Sequence, residues 1–420
     1  MSAIKFKLSL MMLLQYMMYA VWWVPLAAYL TNLEIGSTQK ALILSSMAIG
    51  CMASPLVGML ADRFWPAQKV LAGLNFIHAA MLLWAATTQN PDLLFISLVI
   101  GMLAYMPSWT LTSSIAMAHL PSEDFPKIRV FGSIGWVISG LFSIIFIQVF
   151  NTGFDGTHLP FYCGAGVSLL AAFFNLSLPD TPPLAKGKKA KLIDAFGLGT
   201  LQLMKDKNFA IFIILSFLSM IPFAMYYSYF SQFLLDIQTK YISVTINWGI
   251  LAELGFMLLV PLAIRKYGLR KTMIFGLTAL VIRYFSFYAG GTFIMPGLYY
   301  IGILIHGLIF GFFYVGGQIY IDRKAPGHLK SQAQGFIFLI TFGAGLLLGN
   351  FISANIIEMN RTANGYDWST IWGVTTLMSL ILLAGFALLF REQKATKVTP
   401  AGVTETEGKE ISHVTETVTK

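Results

Sequence analysis

The sequence predicts an all-α integral membrane protein with twelve membrane-spanning helices, and three observations predict this fold class. The chain of 420 residues is 56% hydrophobic and only 11% charged, with a mean hydropathy of +0.70. Soluble domains carry about 25% charged residues, so an ordinary soluble fold is excluded. Apolar stretches long enough to cross a bilayer recur along the chain, as spanning helices require. The basic residues are concentrated on one side of these stretches.

The predicted spans are separated by polar segments or by short turns that contain glycine and proline. They cover residues 8–30, 41–60, 70–88, 94–117, 129–150, 160–178, 209–233, 246–264, 272–290, 297–320, 332–357 and 370–390. Lys5 and Lys7 resemble the start of a signal peptide, but the apolar run to Leu30 is too long and no cleavage site follows. The first stretch is therefore interpreted as a spanning helix.

The net charge of +9 is explained by membrane topology and needs no nucleic-acid partner. All but four of the 28 Lys and Arg residues fall in the terminal segments or in loops on the same side of the spans as the termini. Lys40, Lys240 and Arg361 fall in the opposite loops, and Arg283 lies within the ninth span. This asymmetry is the positive-inside rule, which predicts that both termini are cytoplasmic.

The longest inner connection divides the spans six and six. It is rich in proline and lysine, and it predicts an N-terminal six-helix bundle (1–178), a cytoplasmic linker (179–208) and a C-terminal six-helix bundle (209–391). Residues 392–420 are polar and threonine-rich, which predicts a disordered tail. A faint repeat relates the two halves, because PLVGMLADRFWPAQK closes the second span and PLAIRKYGLRK closes the eighth.

Gly58, Asp62 and Arg63 form a G-x-x-x-D-R motif at the end of the second span. The glycine allows close helix approach, and the aspartate can cap a neighbouring helix or pair with basic residues at an inner gate; alternatively, the motif only ends a helix. Together with the six-and-six arrangement, it resembles the signature of the major facilitator superfamily. That resemblance implies a binding cavity between two bundles, around which the halves rock.

Glu253 is the acidic residue that lies well inside a predicted span, whereas the rest of the 19 Asp and Glu residues fall in loops, at span ends or in the tail. A carboxylate in hydrocarbon is costly, so it normally faces a cavity or a partner and marks a substrate or proton path. Arg283 is the other buried charge. It could neutralise Glu253 from the adjacent helix, which would make the glutamate structural, or extend towards the outer surface.

Two stripes of residues suit a polar ligand with a flat ring. Arg129, Ser133 and Trp136 share one helix face, where the first two can form hydrogen bonds and the indole can stack. Alternatively, Arg129 anchors the helix at the inner surface and Ser133 serves helix packing. His306, Phe310 and Tyr314 share a face of the tenth span, although a histidine there is often a packing residue.

Several segments resemble the bacterial nucleoside:H+ symporter family of the superfamily over about Leu8 to Arg391. They are LMMLLQYMMYAVWWVPLAAYL, LAYMPSWTLTSSIA, DFPKIRVFGSIGWVISG, AELGFMLLVPLAIRKYGLRK, VIRYF and KSQAQGF. The resemblance places the family's nucleoside-site residues at Arg129, Ser133 and Trp136 and its substrate-linked glutamate at Glu253. The full predicted substrate set is Arg129, Ser133, Trp136, Tyr227, Glu253, His306, Phe310 and Tyr314, with Glu253 and His306 also predicted to couple protons and Gly58, Asp62 and Arg63 to gate.

The chain departs from the family pattern at two polar positions. Ile250 stands where a glutamine is common, and Gly311 stands where some members carry an aspartate. In the seventh span, Tyr226, Tyr227 and Tyr229 stand where the best-known members of the family carry amide side chains. Either the substrate is a different nucleoside-like molecule, or Glu253 works with His306 in place of the absent acid.

The sequence therefore predicts a secondary active transporter that imports nucleosides by proton symport through alternating access. It is expected to be a monomer in the bilayer of a bacterial inner membrane, with the proton as coupling ion and no other cofactor. A proton-coupled sugar or glycoside transporter is the alternative, and drug export is a further one within transport. A sensor would carry an additional soluble domain, and an enzyme would need clustered catalytic residues, whereas the six His residues are scattered.

Overall fold

The structure is a computed structural model that describes residues 3–121, 124–183, 196–326, 329–363 and 365–391, apart from the side chains at 53, 58–60, 62 and 331. Residues up to Phe390 form one compact unit. The predicted tail (392–420) and residues 184–195 of the predicted linker lie outside the described residues. The division into two bundles stays a prediction.

The described chain is almost entirely helical. The helices are α1 (Ala3–Trp23), α2 (Leu26–Asn32), α3 (Ser37–Leu44), α4 (Ser46–Arg63), α5 (Ala67–Thr87), α6 (Pro91–Tyr105), α7 (Ser108–His119), α8 (Phe125–Gln148), α9 (Leu159–Asn175), α10 (Lys207–Asp236), α11 (Ile242–Met257), α12 (Val260–Tyr267), α13 (Leu269–Thr292), α14 (Gly297–Leu304), α15 (His306–Ile309), α16 (Gly316–Lys324), α17 (Lys330–Phe338), α18 (Leu346–Met359) and α19 (Trp368–Leu389). A 3-10 helix covers Leu198–Lys205, and π-helical turns cover Phe310–Val315 and Leu339–Gly345. Two short antiparallel strands, β1 (Arg361–Thr362) and β2 (Gly365–Tyr366), form a hairpin.

Ten helical segments of the described residues are long and apolar enough to cross a membrane. They are Ala3–Asn32, Ser37–Val57, Ala67–Thr87, Pro91–His119, Phe125–Gln148, Lys207–Asp236, Leu269–Thr292, Gly297–Lys324, Gln332–Met359 and Trp368–Leu389. The eighth predicted span is broken into α11 and α12 by a 50° bend, and the sixth corresponds to the shorter α9. Predicted and observed segments therefore correspond in order along the chain.

Because consecutive spans alternate in direction, the connections fall on two faces. We call the face with the N-terminus the proximal face and the opposite face the distal face. On the proximal face, Lys5 at the start of α1 donates to Asp124 before α8 at 2.7 Å. Hydrogen bonds from Lys5 and Lys127 hold the pKa of the Asp124 carboxyl at about 2. On the distal face, Asn32 donates to the Gly156 carbonyl at 2.9 Å.

Glycine allows the closest helix contacts. A Cβ atom at Gly135 of α8 would lie 2.1 Å from the Leu13 carbonyl oxygen of α1, so these two helices touch through their backbones. The contact fixes α8, which carries Arg129 and Trp136, against α1.

Candidate substrate and proton site

Glu253 lies on α11, close to the bend that separates α11 from α12. Its side chain is only 13% exposed, and its Oε2 atom lies 3.6 Å from Nε2 of His306 on α15. Gly307 permits this approach, because a Cβ atom there would lie 2.4 Å from the Glu253 Cα atom. The carboxylate and the imidazole therefore face each other across one of the tightest helix contacts in the protein.

Arg283 of α13 lies behind His306 and is fully buried. Its Nη2 atom lies 2.8 Å from His306 Nδ1, and its Nε atom donates to the Gly302 carbonyl at 3.0 Å. Its guanidinium carbon lies 4.0 Å from the centre of the Tyr226 ring. Arg283 does not reach the outer surface, and its side chain bonds His306, Gly302 and Tyr284, so neither sequence-based alternative for this residue describes its contacts.

Arg129 is half-buried on α8, and its guanidinium carbon lies 4.3 Å above the ring of Tyr16. A cation over an aromatic face is stabilised by the ring quadrupole. Arg129 also interacts electrostatically with Glu253, which lies across the gap between α8 and α11. Ser133 and Trp136 follow on α8 and are likewise half-buried. The predicted base and acid thus belong to one cluster.

Trp136 packs edge-on against Tyr19 of α1, with ring centres 5.5 Å apart. Among the described residues, its indole N–H has no hydrogen-bond acceptor. The indole lines a cavity of about 30 Å³ together with Trp23, Tyr226, Tyr227, Ser231, Ile246, Ile250 and His306. Ile250 thus lies at the site, as its place in the family pattern implies.

The second stripe is also assembled as the spacing predicts. The rings of His306 and Phe310 are 6.3 Å apart, and those of Phe310 and Tyr314 are 5.9 Å apart. Phe223 of α10 bridges the stripe to Tyr227, because its ring contacts both Tyr314 and Tyr227 at 5.1 Å. The aromatic residues of α10 and of the tenth span therefore form one continuous wall.

Gly311 packs against the bend between α11 and α12. A Cβ atom there would meet Val260 at 2.9 Å and Met257 at 3.2 Å, so the space beside Gly311 is filled by the bend between α11 and α12. The three residues predicted to gate lie at the end of α4, where Arg63 is the last residue, and the side chain of Asp62 is outside the described part of the structure.

Sequence reasoning missed Tyr16 and named Tyr226 without including it in the predicted substrate set. Tyr16 supports Arg129 and stacks on Trp109 with ring centres 5.6 Å apart. Tyr226 stacks on His306 at 5.6 Å and so belongs to the arginine–histidine pair. The available signal was the placement of polar aromatic residues within otherwise apolar spans.

The fold and the buried charged cluster define a multi-pass membrane transporter with the major facilitator fold. A crystal structure of the nucleoside transporter NupG superposes with a TM-score of 0.83 at 26% identity, covering 93% of this chain and 100% of that one. The xylose transporter XylE of Escherichia coli shares the fold, with a TM-score of 0.66 at 15% identity over 94% of this chain and all of that one.

Residues 1–395 match the family model described as nucleoside H+ symporter, and the chain belongs to this family. It is 36% identical to the putative nucleoside transporter YegT of Escherichia coli, over 96% of this chain and 98% of that protein. It is 26% identical to the xanthosine permease of Escherichia coli, over 91% of this chain and 96% of that protein.

Proposed function

We propose that the protein imports nucleosides together with protons by alternating access. The observation that supports this best is the position of Glu253, a carboxylate inside a span that contacts His306 and faces Arg129. Such a group can take up a proton on one side and release it on the other. The proton is then the coupling ion, and no further cofactor is required.

We further propose a bacterial inner membrane protein with both termini in the cytoplasm, as the distribution of basic residues predicts. The distal face is then periplasmic. One chain contains the whole candidate cluster, which is consistent with a monomer that contacts only lipid and substrate. The Gly58, Asp62 and Arg63 motif is proposed to gate the proximal side.

A nucleoside fits the chemistry of α8. Arg129 and Ser133 can bind the ribose hydroxyl edge, while the base lies on Trp136 or accepts a hydrogen bond from its unpaired N–H group. One helical turn rises about 5.4 Å, which is close to the length of a nucleoside. Glu253 and the aromatic wall of Tyr227, Phe310 and Tyr314 would close the site from the other side.

We expect unlabelled adenosine or uridine to inhibit uptake of a labelled nucleoside at concentrations where ribose and the free base do not. A free sugar meets only the polar end of the site and lacks base stacking, which is worth about 1–3 kcal/mol per ring in nucleic-acid systems. Because Ile250 and Gly311 lack polar side chains, discrimination among bases should be weaker than discrimination against ribose.

The same competition experiment tests the alternative function. If ribose or a disaccharide competed as well as any nucleoside, the protein would be a sugar or glycoside transporter. Uptake of the labelled nucleoside with and without a protonophore separates proton-driven accumulation from passive equilibration.

Contacts between α1–α9 and α10–α19 include several at the distal face. Lys40 of α3 donates to Gln232 of α10 at 3.3 Å, and Asn350 of α18 donates to Ser45 at 3.2 Å. Asp155, before α9, accepts from the Ser243 hydroxyl at the start of α11 at 2.5 Å. We propose that these contacts hold the periplasmic side closed, and the small cavity beside Trp136 is consistent with that state.

Replacing Asp155 by alanine is expected to favour opening of the distal face, because alanine cannot accept the hydrogen bonds of Ser243 and Ser143. Burial raises the pKa of the Asp155 carboxyl, while the hydroxyls of Ser243 and Ser143 act in the opposite direction. Weakening the closed state by about 1.4 kcal/mol would increase the open fraction about tenfold. A membrane-impermeant thiol reagent should then label a cysteine at Ser231, beneath these contacts, correspondingly faster in a background without Cys51 and Cys163.

Because burial raises the pKa of the Asp155 carboxyl in the closed state, protonation favours that state, and labelling in the wild-type background should slow as the pH falls through the raised pKa. The Asp155→Ala variant should lose this pH dependence, apart from the ionisation of the labelled thiol, which all variants share. Asp367→Ala is the matched control, since Asp367 caps α19 through Thr370 and its side chain bonds no second helix among the described residues. Equal labelling in all three proteins would contradict a role for Asp155 in closure.

A further inference from the structure

The contact between Arg283 and His306 determines which histidine nitrogen can carry a proton. A guanidinium group has only donors, so the nitrogen that it faces must act as an acceptor. Arg283 Nη2 lies 2.8 Å from His306 Nδ1, within a fully buried environment. His306 Nδ1 therefore carries no hydrogen, and the neutral ring must carry its hydrogen on Nε2.

We infer that Arg283 is a positioning residue that fixes His306 as a donor towards Glu253, so that Glu253 alone carries the coupling proton. His306 Nε2 lies 3.6 Å from Glu253 Oε2, so an approach of about 0.4 Å would bring the two atoms within hydrogen-bond distance. This inference rests on the proposed symport. The sequence predicts that Glu253 and His306 couple protons jointly, whereas here Glu253 carries the proton and His306 donates to it.

A second proton on His306 would have to bind Nδ1. It would then point at an N–H group of Arg283, and two cations would be in contact inside the protein, where burial of unpaired charge is strongly unfavourable. A proton on Glu253 meets no such obstacle, because the carboxylate has free lone pairs and faces the Nε2–H donor. The proton therefore enters and leaves as the Glu253 carboxylic acid, while the hydrogen on Nε2 stays in place.

Other titratable side chains surround the pair on every packed helix. They are Arg129, Tyr16 and Tyr227 around Glu253, and Arg283, Tyr226 and Tyr284 around His306 and its arginine. The tyrosines are neutral near pH 7, so the charge that acts on Glu253 is that of Arg129, while Arg283 acts on His306.

His306→Gln is the decisive variant. Glutamine can accept from Arg283 and donate to Glu253, but it does not titrate. We expect nucleoside accumulation that remains sensitive to protonophore, with the wild-type pH profile and an initial rate reduced by about 10–100-fold at most, the range typical when a group that orients a functional side chain is replaced. If the nucleoside only equilibrated across the membrane and was not concentrated, His306 would be shown to carry the proton, and the inference would be overturned.

The tautomer can be read without any transport assay. In purified protein labelled with ¹⁵N-histidine, the His306 signals are identified by their loss in His306→Gln. We expect one acceptor-type and one N–H nitrogen over about pH 5 to 8, the range in which free histidine titrates. Signals from two N–H nitrogens in that range would refute the assignment, whether or not the protein transports nucleosides.

Arg283 is tested by charge-conserving and charge-removing substitutions. Arg283→Lys keeps a donor and should retain the acceptor signal at Nδ1 and part of the uptake. Arg283→Met, in folded protein confirmed by its thermal transition, should allow the second N–H signal to form on acidification. If Nδ1 remained an acceptor in Arg283→Met, the arginine would not be what fixes the tautomer.

Discussion

Replacing Glu253 by glutamine is expected to abolish concentrative uptake while leaving the protein inserted and folded. Glutamine has nearly the same shape and can still accept from His306, whose Nε2 atom lies 3.6 Å from the carboxylate, but it cannot bind and release a proton. The measurement is the accumulation ratio of labelled nucleoside in energised cells, with and without protonophore. The variant should only equilibrate the nucleoside, and the protonophore should have no further effect.

Glu358→Gln is the matched control for this substitution. Glu358 lies at the end of α18 in an exposed pair with Arg361 at 3.3 Å, and exposed ion pairs contribute little. It should accumulate nucleoside like the wild type. Counterflow, in which internal unlabelled nucleoside drives entry of labelled nucleoside, reports whether Glu253→Gln still binds substrate. Wild-type accumulation by Glu253→Gln would remove the carboxylate from the coupling mechanism.

The spans could be predicted from the sequence because lipid imposes one strong constraint. Every backbone polar group must be satisfied within the segment, so apolar length alone identifies a helix. The predicted segments match the observed ones in order. The same constraint does not determine helix rotation, which decides the partners of each side chain.

Two prolines within predicted spans have different effects on the helices that contain them. Pro222 lies inside the unbroken helix α10, where the Tyr284 hydroxyl donates to the carbonyl of Pro222. Pro261 lies in the first turn of α12, just after the 50° bend that breaks the predicted single span. The residue types are identical, and the neighbouring helices decide whether the chain bends.

The candidate site was predictable as a set of residues but not as a set of contacts. Regular spacing placed His306, Phe310 and Tyr314 on one stripe, and the π-helical turn over Phe310–Val315 leaves their rings adjacent. The partner of Arg283 depends on how α13 is rotated against α15. Hydrophobic patterning carries little information about that angle, because both helices are apolar on nearly every side.

Replacing Gly307 by alanine is expected to impair both stability and uptake. The added Cβ atom would lie 2.4 Å from the Glu253 Cα atom and 3.0 Å from Phe256 Cβ, and a backbone atom cannot move aside cheaply. Overpacking of this kind typically costs about 1–3 kcal/mol. The helices α11 and α15 must separate, which moves Glu253 away from His306, and a displacement of about 1 Å at a reacting group can cost about a hundredfold in rate.

Gly255→Ala provides the control for this substitution. Gly255 lies on α11 near Glu253, yet a Cβ atom there would have no neighbour within 4 Å. Alanine favours a helix over glycine by up to about 1 kcal/mol in both variants, so this gain cancels in the comparison. The thermal transition of purified protein and the initial uptake rate should fall in Gly307→Ala only. If the two variants behaved alike, close contact between α11 and α15 would not be required to hold Glu253 against His306.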